Sequence, residues 1–196
     1  MKRSFNQETY DWDLNKSSIL KSPRFQKYDM KNISIPNGVK KIMISYVDKL
    51  DHNFKEGIGL YFYSRTPGSG KTTCMCIILK ELMRRGFRVY CDSLIEIKTK
   101  LKDEFDSKQR SLLESMKNVE VLAIDDIGSE TMSNWLDEVF KELLDHRYNM
   151  QKPTLFTSNV AMDLLPFSLK SRDRLKEISM TVNFPEQSFR KTLDSI

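Results

Sequence analysis

The chain has 196 residues, 39% of them hydrophobic and 30% charged, with 32 basic and 27 acidic side chains for a net charge of +5. That is enough apolar material for one domain with its own core. It contains no run near the roughly 18 apolar residues of a membrane span and no apolar signal segment at its start. No membrane is expected, the expected location is the cytoplasm, and three cysteines (Cys74, Cys76, Cys91) without metal-ligand spacing argue against a disulfide framework or a zinc site.

Residues 1–56 lack a strong period and read as an extended arm leading into a first helix over residues 40–50. The pattern then changes. Residues 58–63 are short, apolar and aromatic, as in a buried strand. A Pro/Gly turn follows, and residues 71–85 read as a helix stopped by Gly86. A second strand is predicted over 87–91, helices over 94–105 and 110–117, and the most apolar strand over 119–124. A helix over 134–150, a strand over 154–157, a helix over 171–178, a strand over 180–184 and a short helix from Glu186 onward complete the chain. Strands alternating with helices predict an α/β fold, a parallel sheet flanked by helices, with ligands bound beyond the carboxyl ends of the strands. Charge is uneven: residues 119–145 hold one basic and eight acidic side chains within an otherwise basic chain, and the basic surfaces suit a polyanion.

Each motif falls at or just after a predicted strand end. Thr66-Pro67-Gly68-Ser69-Gly70-Lys71-Thr72-Thr73 matches a P-loop from its second position onward. Glycines let backbone N–H groups wrap phosphates, the following helix points its positive end at the anion, Lys71 reaches the β- and γ-phosphates, and the Thr72 hydroxyl suits Mg²⁺. Arg65 stands where the first glycine of the motif is usual, which predicts an altered start to the loop with binding retained. Asp125 and Asp126 end the most apolar strand. With a P-loop they fit a metal-holding acid and an acid that orients the attacking water; alone they would serve as well for a turn or cap. Thr157-Ser158-Asn159 closes the next strand, where Asn159 can hydrogen-bond a γ-phosphate or simply turn the chain. Arg172 and Arg174 on a predicted helix suit a transferring phosphoryl group or a solvated face, and Arg190 carries the same two readings.

In this order the P-loop, Asp-Asp-Ile-Gly-Ser-Glu, Thr-Ser-Asn, Arg-x-Arg-Leu, Asn183-Phe184 and Arg190 resemble the AAA+ domain of the bacterial replicative helicase loaders, the DnaC and DnaI proteins, and their relative IstB, the transposition helper ATPase. The resemblance runs from about residue 23 to residue 191. It implies a three-layer P-loop AAA+ domain over 57–196 behind an N-terminal arm and first helix over 1–56. A separate lid is expected to be reduced or absent, because the chain ends soon after Arg190.

The resemblance also implies ATP and Mg²⁺ as cofactors. Pro67, Gly68, Ser69, Gly70, Lys71, Thr72 and Thr73 would bind the nucleotide, and Thr72 and Asp125 the metal. Asp126 would be the hydrolysis acid, Asn159 sensor 1, Arg190 sensor 2 and Arg174 an arginine finger acting on a neighbouring subunit, with Arg172 the second choice. Turnover would be weak alone and stimulated by assembly or DNA. The implied function is an ATP-dependent loader that delivers a hexameric replicative DNA helicase onto single-stranded DNA, with self-assembly through the ATP site and DNA contacts near Lys98, Lys100, Lys102, Lys108 and Arg110. Two alternatives stand beside it: an IstB-like transposition helper on duplex DNA, and a loader-like inhibitor that sequesters the helicase or a host loader. Loaders of this family carry an N-terminal helicase-binding domain, whereas about twenty residues precede the matching region here; a compact phage or mobile-element version would suit that shape.

Overall fold

The Asn6 side chain accepts the Thr9 N–H at 3.0 Å and starts the first helix, α1 (Gln7–Lys16). Three further helices precede the first strand: α2 (Pro23–Gln26), α3 (Asn37–Asp48) and α4 (Leu50–Lys55). The computed structural model describes residues 4–106, 111–129, 131 and 133–190. Strands and helices then alternate through β1 (Gly59–Tyr63), α5 (Lys71–Arg84), β2 (Val89–Ser93), α6 (Leu94–Asp106), α7 (Ser111–Asn118), β3 (Val121–Asp125), α8 (Asn134–Asn149), β4 (Thr154–Ser158), a 3-10 turn at Met162–Leu164, α9 (Leu169–Ile178) and β5 (Ser179–Asn183).

The five strands among the described residues are all parallel, in the order β2-β3-β4-β1-β5. Their side chains alternate between two apolar layers, as the two-residue pleat requires. Leu60, Phe62, Val121, Ala123 and Leu155 join the layer containing Met43, Tyr46, Cys74 and Ile78 from α3 and α5. Tyr61, Leu122, Ile124 and Phe156 join the layer containing Phe140, Leu143 and Leu144 from α8 and Leu175 from α9. The result is the expected three-layer α/β fold. Because β4 lies between β3 and β1, three strand ends far apart in sequence open side by side at one edge of the sheet.

Residues 7–16 differ from the expected extended arm. They form α1, which packs Tyr10 and Leu14 on the core and adds a polar anchor: the buried Asp13 carboxylate accepts the Arg88 guanidinium at 2.8 and 3.0 Å and the Val89 N–H, on the edge strand β2, at 3.0 Å. Apolar periodicity reveals nothing of such a contact. Further along the N-terminal segment, Lys80 of α5 donates its ammonium to the carbonyls of Phe25 (2.9 Å), Gln26 (3.2 Å) and Tyr28. The helix after the P-loop thereby holds the end of α2. Residues 186–190 are not helical, in contrast to the expected short helix; the Phe189 N–H donates to the Gly68 carbonyl of the P-loop, while the Gln187 N–H turns back to the Pro185 carbonyl. Residues 191–196 lie outside the described residues.

Candidate nucleotide site

The P-loop leaves the carboxyl end of β1 and enters α5 with Gly68 at φ 80° and Gly70 at φ 97°, left-handed conformations that strain any side chain bearing a Cβ. No side chain caps α5 at Gly70, the residue before its first turn. The first-turn N–H groups of a 14-residue helix therefore face the loop, the arrangement that binds phosphate. A Cβ built on Gly70 would lie 3.9 Å from both Ile35 Cγ2 and Phe184 Cε1, so these two side chains flank the loop.

Lys71 is buried, and its ammonium donates to Asn159 Oδ1 at 2.7 Å, the Ser64 carbonyl at 3.1 Å, and the Thr66 carbonyl and Ser69 hydroxyl at 3.2 Å each. Burial lowers its pKa, opposed by the negative charges of Asp126, Glu186 and Asp125. The three N–H donors of the ammonium are already shared among four neutral acceptors, so meeting an anion requires it to exchange at least one of them.

At the end of β3, Asp125 Oδ1 accepts the Thr72 hydroxyl at 2.8 Å and the Thr157 hydroxyl at 2.6 Å. Burial raises the Asp125 pKa, while those two hydroxyls pull it down. Thr157 also accepts the Asp126 N–H at 2.9 Å. Asp126 itself adopts φ 56°, a conformation uncommon for a non-glycine residue. The Asn159 amide approaches Asp126 Oδ1 at 3.4 Å while its oxygen holds Lys71. Asn159, at the exit of β4, thus bridges the start of α5 and the exit of β3.

Such a set fits Mg²⁺ and a triphosphate. A hydroxyl and a carboxylate held 2.8 Å apart are hard oxygen donors. Mg²⁺ commonly takes one or two protein oxygens and completes its shell with phosphate and water. Among the described residues no cluster of three or more His, Cys, Asp or Glu side chains could hold a metal by itself.

The predicted residues do not all converge here. Pro67, Gly68, Ser69, Gly70, Lys71, Thr72, Thr73, Asp125, Asp126 and Asn159 lie on the loop, the start of α5 and the adjoining strand ends. Arg190 joins them: a Cβ on Gly68 would stand 2.8 Å from Arg190 Cγ and 2.6 Å from Ser188 Oγ. Arg174 instead pairs with Asp145 at 3.0 Å and with Glu177, and its guanidinium lies 4.0 Å from the centre of the Tyr148 ring. Arg172 donates to the Asp163 carbonyl. These arginines belong to the α8–α9 side of the chain. Of the basic residues near the predicted DNA contact, Lys100 pairs with Asp92 at 2.5 Å, and Lys108 and Arg110 lie outside the described residues.

Two site residues escaped the sequence reading. The Thr157 hydroxyl, which fixes both aspartates, is signalled only by its place at the end of a strand beside theirs. Glu186 has no local signal at all: it hydrogen-bonds the P-loop at Thr66, 120 positions away.

The model of the family described as IstB-like ATP binding protein matches residues 59–170. The replicative helicase loader DnaI of Bacillus subtilis (strain 168) is 31% identical over 192 residues, covering 91% of this chain and 59% of that protein. The replicative helicase loader DnaC of Escherichia coli (strain K12) is 29% identical over 172 residues, covering 85% of this chain and 68% of that protein. Among solved structures, DnaI superimposes with a TM-score of 0.73 at 24% identity, over 84% of this chain and 95% of that one. The DnaC helicase loader gives 0.72 at 24% identity, over 84% and 100%. These structural likenesses establish the fold. No helix among the described residues is long and apolar enough to cross a membrane.

Proposed function

The chain belongs to the IstB-like ATP-binding protein family, and from that premise we propose that it is an ATP-dependent loader that delivers a hexameric replicative DNA helicase onto single-stranded DNA during replication initiation. Similarity to replicative helicase loaders over most of the chain supports this reading. The observation that carries the chemistry is the junction of three strand ends, with Lys71 on Asn159 and Thr72 on Asp125. The chain spans 59% of the length of DnaI, so the activity and partners of the whole loader enter here as part of the proposal.

In this reading the α5 N-terminus and Lys71 bind the triphosphate, and the Thr72–Asp125 pair holds Mg²⁺. The metal, when bound, neutralises phosphate charge. Asp126 orients and deprotonates the attacking water, with its backbone held by Thr157. Asn159 trades its bond to Lys71 for one to the γ-phosphate or that water. Arg190 approaches the phosphates from its place beside Gly68. Arg174 acts as the arginine finger on the nucleotide of a neighbouring subunit, which requires it to leave Asp145 and Glu177; hydrolysis then times release of the helicase. Binding to single-stranded DNA weakens steeply as salt is raised, because phosphate contacts release counterions.

The test is affinity capture from the native cell with ATP and Mg²⁺, the bound proteins being identified by mass spectrometry. Stoichiometric recovery of the replicative helicase, followed by its ATP-dependent transfer to single-stranded DNA, supports the loader. Capture of the helicase with its transfer blocked identifies an inhibitor. The IstB-like family match favours one second reading, a transposition helper. Recovery of a transposase and a preference for duplex DNA would establish that instead.

A further inference from the structure

Residues 184–190 run alongside the P-loop and match it step by step. The Phe184 N–H donates to the Tyr63 carbonyl at 2.7 Å, and the Phe189 N–H donates to the Gly68 carbonyl at 3.0 Å. Between these two anchors the Glu186 carboxylate accepts the Arg65 N–H at 3.1 Å through Oε1 and the Thr66 hydroxyl at 2.9 Å through Oε2. The Ser64 hydroxyl lies 3.5 Å from the same Oε2. Loop and strap touch closely enough that any side chain at Gly68 would collide with Ser188 and Arg190.

Glu186 contacts the loop where the sequence departs from the P-loop pattern. Arg65 occupies the usual glycine position, its guanidinium directed to the Tyr63 hydroxyl at 3.2 Å and its backbone N–H to Glu186. Loops with left-handed glycines deform readily. Lys71 braces this one from inside through Ser64 and Thr66. Glu186 braces the same two residues and Arg65 from outside, and charge-assisted hydrogen bonds are the stronger kind. Its partners precede the phosphate-binding N–H groups, so the carboxylate leaves the cradle itself open.

We propose that Glu186 is a positioning residue of the nucleotide site: its carboxylate fixes the start of the P-loop against the strap and thereby sets the place of Arg190 beside Gly68. This rests on the ATP-site reading given above and adds to it how the two halves of the site are held in register.

The test uses the full chain, a fluorescent ATP analogue with Mg²⁺, and amide hydrogen exchange without nucleotide. Glu186→Ala should lower affinity for the analogue about tenfold with little change in the melting temperature of the free protein. Glu186→Gln should recover part of the loss, since the amide oxygen can accept one of the two bonds. In the nucleotide-free protein Glu186→Ala should also speed exchange at Arg65 and Phe189 together. Combined with Arg190→Ala it should cost no more than the larger single effect, as residues acting through one contact do. Wild-type affinity and exchange in Glu186→Ala overturn the proposal, and so do strictly additive losses in the double variant. If the wild-type chain binds no ATP analogue while the linked exchange response is present, the ATP-site reading fails and the loop-positioning role of Glu186 stands.

Discussion

The Thr72 hydroxyl and the Asp125 carboxylate meet at 2.8 Å although 53 positions separate them in sequence. The oxygen they share also accepts the Thr157 hydroxyl at 2.6 Å, in a place where burial raises the aspartate pKa. A half-buried carboxylate whose hydrogen-bond partners are neutral is costly in the free protein, and such costs are characteristic of functional sites. Asp125→Asn is therefore expected to leave the melting temperature of the nucleotide-free chain unchanged or raise it by about 2–4 °C. The same variant should lose the added stabilisation that Mg²⁺ gives to ATP binding. Thermal unfolding with ATP, with and without Mg²⁺, checks both parts; a Mg²⁺-dependent shift equal to the wild-type one would count against the metal assignment.

In the proposed reading Lys71 serves binding and Asp126 serves hydrolysis. Lys71→Ala should weaken ATP binding by about two orders of magnitude or more, since it removes the buried cation that meets the phosphates. Asp126→Asn should bind ATP with near wild-type affinity and not hydrolyse it. Equilibrium titration and phosphate release measure the two quantities. Unchanged affinity in the lysine variant would reject the P-loop assignment.

Arg174 stands away from its own P-loop, clasped by Asp145, Glu177 and the Tyr148 ring. Arg174→Ala should keep ATP affinity while lowering turnover in the assembled protein by a factor of about 10³, the scale of an arginine finger. Mixing the variant with Lys71→Ala chains should restore part of the turnover, because each supplies what the other lacks at a shared site. If Arg172→Ala shows the loss instead, the finger lies two positions earlier.

Arg147 is a stability prediction independent of function. It is fully buried and donates to the carbonyls of Met116 (2.8 Å), Val119 (2.8 Å), Glu120 (3.3 Å) and Pro153 (2.7 Å) and to the Thr154 hydroxyl (2.8 Å). It thus joins the end of α7 to the starts of β3 and β4. Burial pushes its pKa down to about 9, so it remains charged at neutral pH. Arg147→Met fills similar space but strands these acceptors, at about 3–5 kcal/mol, or roughly 10 °C in Tm. Arg147→Lys should recover little, since an ammonium lacks the planar fork. Calorimetry showing a loss under about 1 kcal/mol would contradict this account.

Much of the fold was legible because it is written in local pattern. The apolar run at Val121–Asp125, the glycine turn after β1 and the helical spacing of α5 and α8 each follow from the chain within a dozen residues. Helix α1 was not legible. Beside the packing of Tyr10 and Leu14 on the core, its attachment includes one buried carboxylate, Asp13, paired with Arg88 75 positions away, and an ion pair across that distance leaves no period. The non-helical course of residues 186–190 escaped for a related reason: local preference was outweighed by hydrogen bonds to Tyr63, Arg65, Thr66 and Gly68.

By itself, then, the sequence determined the alternating elements, the glycine loop after β1, and the acids and amide placed at strand ends, since glycine conformation, apolar periodicity and residue chemistry act over a few positions. Tertiary structure alone decided which strand ends became neighbours. The order β2-β3-β4-β1-β5 inserts Asn159 between Lys71 and Asp126, sets Thr157 under both aspartates, and lays Glu186 and Arg190 along the P-loop. Those relationships depend on how parallel strands are threaded through the sheet, which local spacing in the chain does not specify.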